Sequence, residues 1–421
     1  MPRPLLLMSD GIGTTTGLAR ITRELARHIH QHLPDQFRVG TLSIGIEQPA
    51  PDIPWPQFWS RVESYCALDL PGVWRMFAGE ERGVLLVIAN PSWCSWLASP
   101  SILRPEHAHM QRFLTSGPDG ERPFELWGYF PIDSDGPGGV LDRETSQTIS
   151  RFNRVLAYTS WGAEVIEQSV GKLNSCDDRA DSLLHNLTWL PHGTDSAVFH
   201  PRPRAEARHS FISRVTRGAH GWPISSDTLL IGIVATNTIR KEWPLGIETA
   251  SILQRRGHKV MLWMHADRVH GPWNLAGLCE QFGMGDCSMI TLNRMTDEEI
   301  AWAHSACDVN LGIGAGEGWG MVQSDALACG CPVVAHNYAG GRQFIPPGML
   351  VDPVAWRWDG FYCARRPVGD AELWADKVED MLGRRGESSS RTADRESLLD
   401  QQYSWNGCWP GWRSWLLGGV S

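Results

Sequence analysis

A glycine-rich segment at residues 311–334, LGIGAGEGWGMVQSDALACGCPVV, contains the residues with the clearest chemistry in the chain. Glu317 stands among its glycines, and Asp325 follows eight positions later. Backbone amides in such a loop, together with the start of a helix, attract a phosphate, whereas a carboxylate there repels one. Sugar hydroxyls are better partners for a carboxylate because they donate charge-assisted hydrogen bonds to it. The segment therefore predicts a ligand that carries both a phosphate and a sugar.

The order of residues predicts which part of the ligand lies where. Glu317 follows a strand and is placed to bind a hydroxylated ring, while the amides of 319–322 at the start of a helix face the phosphate. If that helix begins near Gly320, a rise of about 1.5 Å per residue puts Asp325 roughly 8–12 Å from Glu317. A ribose diol fits there, so the pattern matches the sugar, diphosphate and ribose of a nucleotide-sugar.

Two series of strands alternating with helices must position these residues. The first begins with the apolar run LLLM and a helix with Leu18, Ile21, Leu25 and Ile29 on one face. Its further strand candidates are 84–89, 124–130 and 154–160. Those of the second series are 228–235, 259–266, 288–293, 308–314 and 332–337. Such alternation predicts two Rossmann-like halves, each a parallel sheet covered by helices.

The two series and the polar segment between them predict the domain boundaries. We expect an N-terminal Rossmann-like domain at 1–200, an Arg-rich polar connection at 201–227 and a second Rossmann-like domain at 228–395. The aromatic, amphipathic end at 396–421 predicts a packed C-terminal helix. A chain of 421 residues has the length for two such domains.

Composition narrows the class of protein. With 42% hydrophobic residues and a net charge of −9, the chain is an ordinary globular sequence without a general nucleic-acid footprint. The ten cysteines are scattered, and the one close pair, Cys329 and Cys331, fits neither a zinc knuckle nor a redox motif. Free thiols and the lack of a secretion or transmembrane segment predict a cytoplasmic location. The fifteen histidines are dispersed, so no metal or other cofactor is expected.

The glycine-rich segment resembles a known family. EGWGMVQSDALACGCPVVAHNYAGG is similar to the donor-site signature of glycosyltransferase family 4, the retaining glycosyl transferases group 1. LPHGTDSAVFHP resembles that family's domain junction, IGIVATNTIRKEWPLGIETASIL its first donor-domain strand, loop and helix, and TGLARITRELARHI its N-terminal loop and helix. The resemblance implies a GT-B fold of two Rossmann-like domains facing across a cleft, with the C-terminal helix crossing back to the N-terminal domain. Residues 1–200 would then bind the acceptor and residues 228–395 the donor.

Carried over by position, the resemblance also implies roles for single residues. Glu317 binds hydroxyls of the donor sugar, and Lys241 neutralises the diphosphate leaving group, where charge develops in the transition state. With Arg240, these two form the predicted catalytic set. The backbone expected to bind phosphate belongs to Gly318, Trp319, Gly320, Met321 and Val322.

The chain departs from the family pattern at some donor positions. Asp325 replaces the family's second Glu and is the candidate for the ribose. The usual Arg before the Lys is missing, since its place holds Thr236 or Asn237; Arg240 is the candidate substitute, and Asn237 remains a donor-side candidate. Gly17 is retained in the N-terminal loop, where the start of a helix is expected to meet a phosphate.

Acceptor-side candidates come from the first half. Asn90 and Asp133 follow two of its strands, and ligands gather at the carboxyl ends of parallel strands. For Asp133, in YFPIDSDG, a turn-forming role is an equal alternative. His192, in the PHG sequence, is expected to fix the junction loop in preference to transferring a proton.

These observations predict transfer of a hexosyl or pentosyl group from a nucleotide-sugar to an acceptor hydroxyl, with retention of configuration as the resemblance implies. The acceptor is expected to be a glycan, a lipid-linked molecule or a small molecule. One alternative is a viral-type DNA glycosyltransferase that acts on a modified base. Another is a non-catalytic nucleotide-sugar binder. A dinucleotide oxidoreductase is disfavoured because the glycine run follows the fourth strand of its half, not the first.

Overall fold

The computed structural model describes residues 1–45, 49–63, 66–117, 120–173, 178–215, 224–360, 362–384 and 396–418. The chain divides into two compact units. Unit 1 comprises Met1–His192, Phe361–Ala364 and Cys408–Ser421, and unit 2 comprises Gly193–Gly360 and Arg365–Gly407. The division at residue 192 lies near the predicted boundary at 200, and the described part of the expected connection at 201–227 belongs to unit 2. Residues 216–223 of that connection, and the predicted domain end at 395, lie outside the described residues.

Unit 1 is built on a parallel sheet of seven strands in the order β3-β2-β1-β6-β7-β8-β9. The strands predicted after residues 83, 123 and 153 are confirmed. A small antiparallel pair, β4 and β5, lies outside this sheet. The strands are β1 (Arg3–Asp10), β2 (Phe37–Ile44), β3 (Gln57–Ser60), β4 (Val62–Glu63), β5 (Cys66–Ala67), β6 (Gly83–Ile88), β7 (Phe124–Phe130), β8 (Arg154–Ala157) and β9 (Leu187–Trp189).

Helices cover this sheet, and the first of them shows why. In α1, Ile21, Leu25 and Ile29 are buried at the predicted helical spacing. Thr16 caps its start by accepting a hydrogen bond from the Ala19 amide at 3.2 Å. The helices are α1 (Gly17–His32), α2 (Leu70–Ala78), α3 (Ser95–Ala98), α4 (Ala108–Leu114), α5 (Arg143–Ile149), α6 (Ser160–Gly171) and α7 (Asp178–Leu184), with 3₁₀ helices at Pro91–Cys94, Pro100–Ile102 and Pro105–His107.

Unit 2 contains a second parallel sheet, with six strands in the order β12-β11-β10-β13-β14-β15. All five strands predicted for this half are confirmed. The sheet strands are β10 (Leu229–Val234), β11 (Val260–His265), β12 (Ser288–Thr291), β13 (Val309–Gly312), β14 (Val333–His336) and β15 (Leu350–Val351). A separate two-stranded hairpin consists of β16 (Ala355–Asp359) and β17 (Ala364–Val368).

The helices of unit 2 connect these strands in the manner of a Rossmann fold. They are α8 (Arg204–Ser210), which continues as a π-helix at Phe211–Val215, α9 (Trp243–Arg255), α10 (Leu275–Gln281), α11 (Asp297–Ala306), α12 (Met321–Ala328) and α13 (Ala371–Arg384). Shorter 3₁₀ helices span Gly285–Cys287, Ala339–Gln343, Pro347–Met349 and Gln401–Tyr403. The prediction of two Rossmann-like α/β domains is therefore confirmed.

The last helix, α14 (Trp405–Leu416), returns to unit 1 from Cys408 onward. Trp412 is fully buried and donates its indole hydrogen to the Pro191 carbonyl at 2.9 Å. Trp415 packs edge-on against Trp127, with ring centroids 5.0 Å apart. The predicted packing of the C-terminal helix on the N-terminal domain is confirmed.

Both sheets reverse their strand order at one place. In unit 1 the reversal lies between β1 and β6, and in unit 2 it lies between β10 and β13. Loops that leave the carboxyl ends of strands on either side of a reversal diverge and open a crevice for ligands. The candidate residues follow these strands: Gly17 and Asn90 in unit 1, and Lys241 and Glu317 in unit 2.

Candidate functional site

The loops that follow β10 and β13 are joined by backbone pairing. Lys241 and Gly314 form an isolated antiparallel bridge. On either side of it, the Glu242 amide donates to the Ile313 carbonyl at 2.8 Å and the Ala315 amide donates to the Arg240 carbonyl at 2.9 Å. This short ribbon holds two loops together that are far apart in sequence.

The pairing brings the three predicted catalytic side chains of unit 2 together. The Lys241 ammonium donates to Oε1 of Glu317, and Nη1 of Arg240 lies 3.0 Å from Oε2. Arg240 also donates to the Gly316 carbonyl at 2.9 Å. Although burial alone raises the pKa of Glu317, the charges of Arg240 and Lys241 outweigh it and lower that pKa to about 2. The Glu317 side chain remains 20% exposed, so a ligand can reach it.

This cluster has one positive charge in excess, because two cations share one carboxylate. A diphosphate offers the cations a doubly charged partner and competes with Glu317 for them. If Lys241 and Arg240 turned to phosphate oxygens, the Glu317 carboxylate would be available to accept hydrogen bonds from hydroxyls. The geometry can therefore bind a phosphate and a hydroxylated ring side by side.

The start of α12 is a second element of the site with positive potential. Gly320 precedes the helix with φ of 106°, a left-handed conformation that glycine adopts without strain, and it contributes no capping side chain. The first amides of α12, from Met321 and Val322, are therefore not capped by the preceding side chain and lie at the positive end of the helix dipole. The ring of Trp319 is buried and stacks on the ring of Phe344, with ring centroids 4.6 Å apart. Any contact of Trp319 with a ligand is therefore through its backbone.

A glycine further along the chain supports the loop of Glu317. The Gly340 amide donates to the Glu317 carbonyl at 2.8 Å. A Cβ at position 340 would overlap the backbone of Gly318, so only glycine lets these two segments approach this closely. The sequence shows this residue only as part of the AGG motif; its contact with the carboxylate loop becomes visible in the structure.

Asp325 is not brought into the cluster of Glu317. It lies on the buried side of α12 and is only 2% exposed. After burial itself, its charge is the largest cause that raises the pKa of the Cys329 thiol one turn later. A ribose hydroxyl would have to reach a carboxylate that is covered in this structure, and the ribose role of Asp325 stays a prediction.

Asn237 holds a loop in place. Its amide nitrogen donates to the carbonyls of Arg268, Val269 and Trp273, and its oxygen accepts from the Trp273 amide. These bonds occupy the side chain that the sequence analysis predicted to bind the nucleotide-sugar. Asn237 therefore fixes the segment after β11, and a contact with a ligand is left to its neighbours.

The two acceptor-side candidates line one cavity. Asn90, after β6, and Asp133, after β7, border a space of about 330 Å³ within unit 1. Sequence analysis predicted these two residues but not the rest of the lining, much of which comes from the DSDG turn and the start of α5. Polar residues around them are Ser92, Ser134, Asp135, Asp142, Glu144 and Thr145, and Tyr362 and Cys363 complete the wall.

Local hydrogen bonds preorganise this cavity. Oδ1 of Asn90 accepts from the amide and the hydroxyl of Ser92 at 3.0 and 2.8 Å. Asp133 accepts from the Ser134 hydroxyl at 2.9 Å, which fits the turn-forming alternative and still leaves its carboxylate on the cavity wall. Four carboxylates, those of Asp133, Asp135, Asp142 and Glu144, make the cavity acidic.

Gly17 begins α1 at an exposed position beside the same edge of the sheet. The Thr16 hydroxyl donates to Asp10 at 2.7 Å and also caps the helix.

His192 is buried, with its ring centroid 5.3 Å from that of Tyr158. Burial, followed by the charge of Asp10, raises the pKa of Tyr158.

In the ranges that the structure describes, no group of three or more His, Cys, Asp or Glu side chains is arranged to hold a metal ion. Within the same ranges, none of the helices combines the length and the apolar character needed to cross a bilayer.

Comparison with known proteins agrees with this geometry. Residues 294–410 match the family described as family 4 glycosyltransferase in conflict systems. The matched segment is similar to family 4 glycosyltransferases, and the whole chain has a GT-B fold. The matched residues include Glu317, α12 and Gly340, whereas Lys241 and Arg240 precede the match, and their place in the site rests on the geometry above.

This chain is also similar to a curated protein and to solved structures. It is 26% identical over 237 residues to D-inositol 3-phosphate glycosyltransferase from Mycobacteroides abscessus. The aligned region covers 55% of this chain and 48% of that protein. The chain thus spans about half the length of this curated relative. Anabaena HepE in complex with UDP and glucose has a TM-score of 0.65 at 13% identity, and sucrose-phosphate synthase from Thermosynechococcus elongatus has 0.65 at 14%. Each comparison covers 99% of both chains, which confirms the predicted GT-B fold.

Proposed function

We propose that the protein transfers a sugar from a nucleotide-diphosphate sugar to an acceptor hydroxyl, with retention of the anomeric configuration. The observation that carries this proposal is the ion cluster of Lys241, Arg240 and Glu317 at the strand-order reversal of unit 2. A cation pair, a carboxylate and a free helix start match the two phosphates and the sugar hydroxyls of such a donor. The UDP and glucose bound to HepE add support from a protein of similar fold.

In this proposal the cluster acts on the leaving group. Lys241 and Arg240 bind the diphosphate oxygens and stabilise the charge that develops as the bond to the anomeric carbon breaks. Glu317 accepts hydrogen bonds from the sugar and fixes its orientation. The amides at the start of α12 bind the remaining phosphate oxygens.

Bond making and proton transfer then complete the reaction. The acceptor oxygen bonds to the anomeric carbon on the face that the nucleoside diphosphate leaves, which accounts for retention. The departing phosphate oxygen takes the proton of the acceptor hydroxyl, so no separate protein base is required. Since the two cations supply the charge, we further propose that the reaction proceeds without a metal ion.

The cavity with Asn90 and Asp133 is the proposed acceptor site. Its carboxylates and hydroxyls suit a ligand with several hydroxyl groups, and a glycan, a lipid-linked sugar or a small polyol meets this condition. The same carboxylates repel a phosphate backbone, which weighs against the alternative of a modified DNA base. The nine cysteines among the described residues are thiols and not disulfides, which supports the expectation of a reducing, cytoplasmic compartment.

Thermal-shift measurements with UDP-, GDP-, ADP- and TDP-sugars, both hexosyl and pentosyl, test the donor site, because a bound ligand raises the melting temperature. One donor should stabilise the wild-type protein, and Lys241→Ala and Glu317→Ala should lose the shift. Lys259→Ala, which changes an exposed lysine elsewhere in unit 2, is the matched control. Failure of every donor to shift the melt overturns the proposal.

Activity measurements separate an enzyme from the non-catalytic binder. The donor found by thermal shift should be consumed, and NMR of the product should show the donor's anomeric configuration. Consumption should persist in EDTA. A donor that binds but is neither hydrolysed nor transferred identifies a binder, and steep salt-dependent binding to duplex DNA would favour the DNA alternative.

A further inference from the structure

The β16–β17 hairpin carries two exposed tryptophans beside the proposed donor site. Trp356 is 44% exposed and Trp358 is 63% exposed. Among the described residues, the one other exposed tryptophan is Trp59 in unit 1. Large aromatic rings seldom face solvent without a partner, because burying them is strongly favourable. Two such rings on one strand therefore require an explanation.

The opposite face of β16 is tied to the loops of the ion cluster. Side chains alternate along a strand, so Arg357 and Asp359 point away from the tryptophans. Arg357 donates to the Ile239 carbonyl at 3.3 Å. Asp359 accepts from buried Arg366 at 3.1 Å, and Arg366 in turn donates to the Ala315 carbonyl at 3.4 Å.

These bonds explain why the hairpin keeps its position. One anchors it to the loop of Arg240 and Lys241, and the other to the loop of Glu317. The hairpin, with the tryptophans on its outer face, is thus fixed to the two loops that carry the proposed catalytic residues. The tryptophans belong to the same unit as the proposed donor site.

The outer face has the chemistry of a stacking surface. Residues at positions i and i+2 of a strand lie about 6.5–7 Å apart on one side. Trp356 packs edge-on against Tyr338, with ring centroids 5.0 Å apart. The Arg365 guanidinium lies 5.1 Å from the ring centroid of Trp356. Within the described part of the chain, Trp358 makes no ring or cation contact, and most of its side chain faces solvent.

We propose that Trp356 and Trp358 form a stacking surface for the saccharide chain of a glycan acceptor. The proposal rests on the proposed function and narrows its acceptor to a glycan of several sugars. Sugar rings present apolar C–H faces that stack on indole, and their hydroxyls accept from the indole N–H groups and Arg365. A single-stranded nucleic acid also stacks on aromatic rings, but it requires a basic groove. Here, among the described residues, the tryptophan face presents one cation, Arg365, and the whole chain has a net charge of −9.

Native gel electrophoresis through soluble dextran, glycogen or chitosan tests this surface. At least one glycan should slow the wild-type protein relative to a gel without it. The double variant Trp356→Ala/Trp358→Ala should bind that glycan at least about tenfold more weakly, as expected for the loss of two aromatic contacts. Trp59→Ala, which removes an exposed tryptophan from unit 1, should migrate like the wild type, and Trp358→Phe, which keeps a ring, should retain much of the binding.

Three outcomes overturn the inference. They are no retardation of the wild type by any of the glycans, unchanged retardation of the double variant, and loss of poly-dT binding in the double variant without a change in glycan binding. The thermal shift with the nucleotide-sugar is measured on the same proteins and should persist in the double variant. If no protein shows that shift but the double variant alone loses glycan binding, the proposed function fails while the stacking surface stands.

Discussion

The ammonium of Lys241 donates a hydrogen bond to the carboxylate of Glu317, although the two residues are 76 positions apart in the chain. The contact follows from the sheet. Strands β10 and β13 are hydrogen-bonded neighbours, with Ile231 opposite Val309, so the loops that follow them leave the same edge. The ribbon between those loops then brings the two charges together, in the unit that also contains the free start of α12.

Replacement of Lys241 by Met tests the cation. Lys241→Met keeps a long side chain but removes the charge proposed to stabilise the leaving diphosphate, so kcat for donor consumption should fall by about 10²–10³. Initial rates with the donor identified by thermal shift measure this loss. Lys259→Met should retain the wild-type rate, because Lys259 lies on the surface and pairs with Asp227. A rate for Lys241→Met equal to that of the wild type would remove Lys241 from the mechanism.

The low pKa of Glu317 predicts how stability depends on pH. The folded value is about 2 and the ordinary value is 4.5, so the unfolded chain takes up the proton first as the solution is acidified. The contribution of the ionised carboxylate is thus complete above the unfolded pKa and is lost as pH falls toward the folded one. Glu317→Gln should lower the free energy of unfolding by about 1–3 kcal/mol at neutral pH, the lower end reflecting solvent screening of a partly exposed group.

Urea unfolding at a series of pH values measures this dependence. The difference between wild type and Glu317→Gln should shrink steadily between about pH 5 and pH 2. Glu206→Gln is a surface control, since Glu206 is exposed on α8. Curves for wild type and Glu317→Gln that stay parallel over the whole range would mean that the two cations do not hold this carboxylate.

Gly340→Ala tests the support of the carboxylate loop. The added methyl group would meet the backbone of Gly318, which cannot move away without displacing Glu317. We expect a loss of about 1–3 kcal/mol in the free energy of unfolding and a smaller thermal shift with the donor. Gly383→Ala, in α13, has open space around the new methyl group and should leave both quantities unchanged or slightly improved. An unchanged donor shift in Gly340→Ala would contradict the supporting role.

The sequence predicted the donor loops because their information is local. A glycine run after a buried strand, with an acid inside it, specifies a strand, a loop and a helix over few residues, and the structure has all three. Arg240 was predicted as a substitute for a missing arginine, and it does reach Glu317. Strands β2 and β3 were not predicted, because β2 carries Gly40, Thr41 and Ser43 in place of a continuous apolar run, and β3 has only four residues.

Side-chain orientation was harder to predict, because it depends on distant segments. Asn237 looks like a ligand residue in its loop, but its side chain makes its hydrogen bonds to the segment at 268–273. Asp325 has the spacing for a ribose, but the burial of its helix face is set by tertiary packing. The hairpin was missed for a similar reason: WRW alternates like a strand, and only its bonds to Ile239 and Ala315 reveal where it lies.

Asp133→Asn separates the acceptor site from the donor site. In the proposed function the Asp133 carboxylate accepts from acceptor hydroxyls in unit 1, while donor binding depends on unit 2. Asparagine keeps the shape and one oxygen but loses the charge, so transfer to the acceptor should fall by about tenfold, mainly through a higher KM for the acceptor. Slow hydrolysis of the donor, in which water replaces the acceptor, should continue at the wild-type rate.

Asp35→Asn, at an exposed turn of the same unit, is the control. An equal loss of hydrolysis and transfer would show that Asp133 acts on the fold or the donor, and would remove the cavity from the acceptor site.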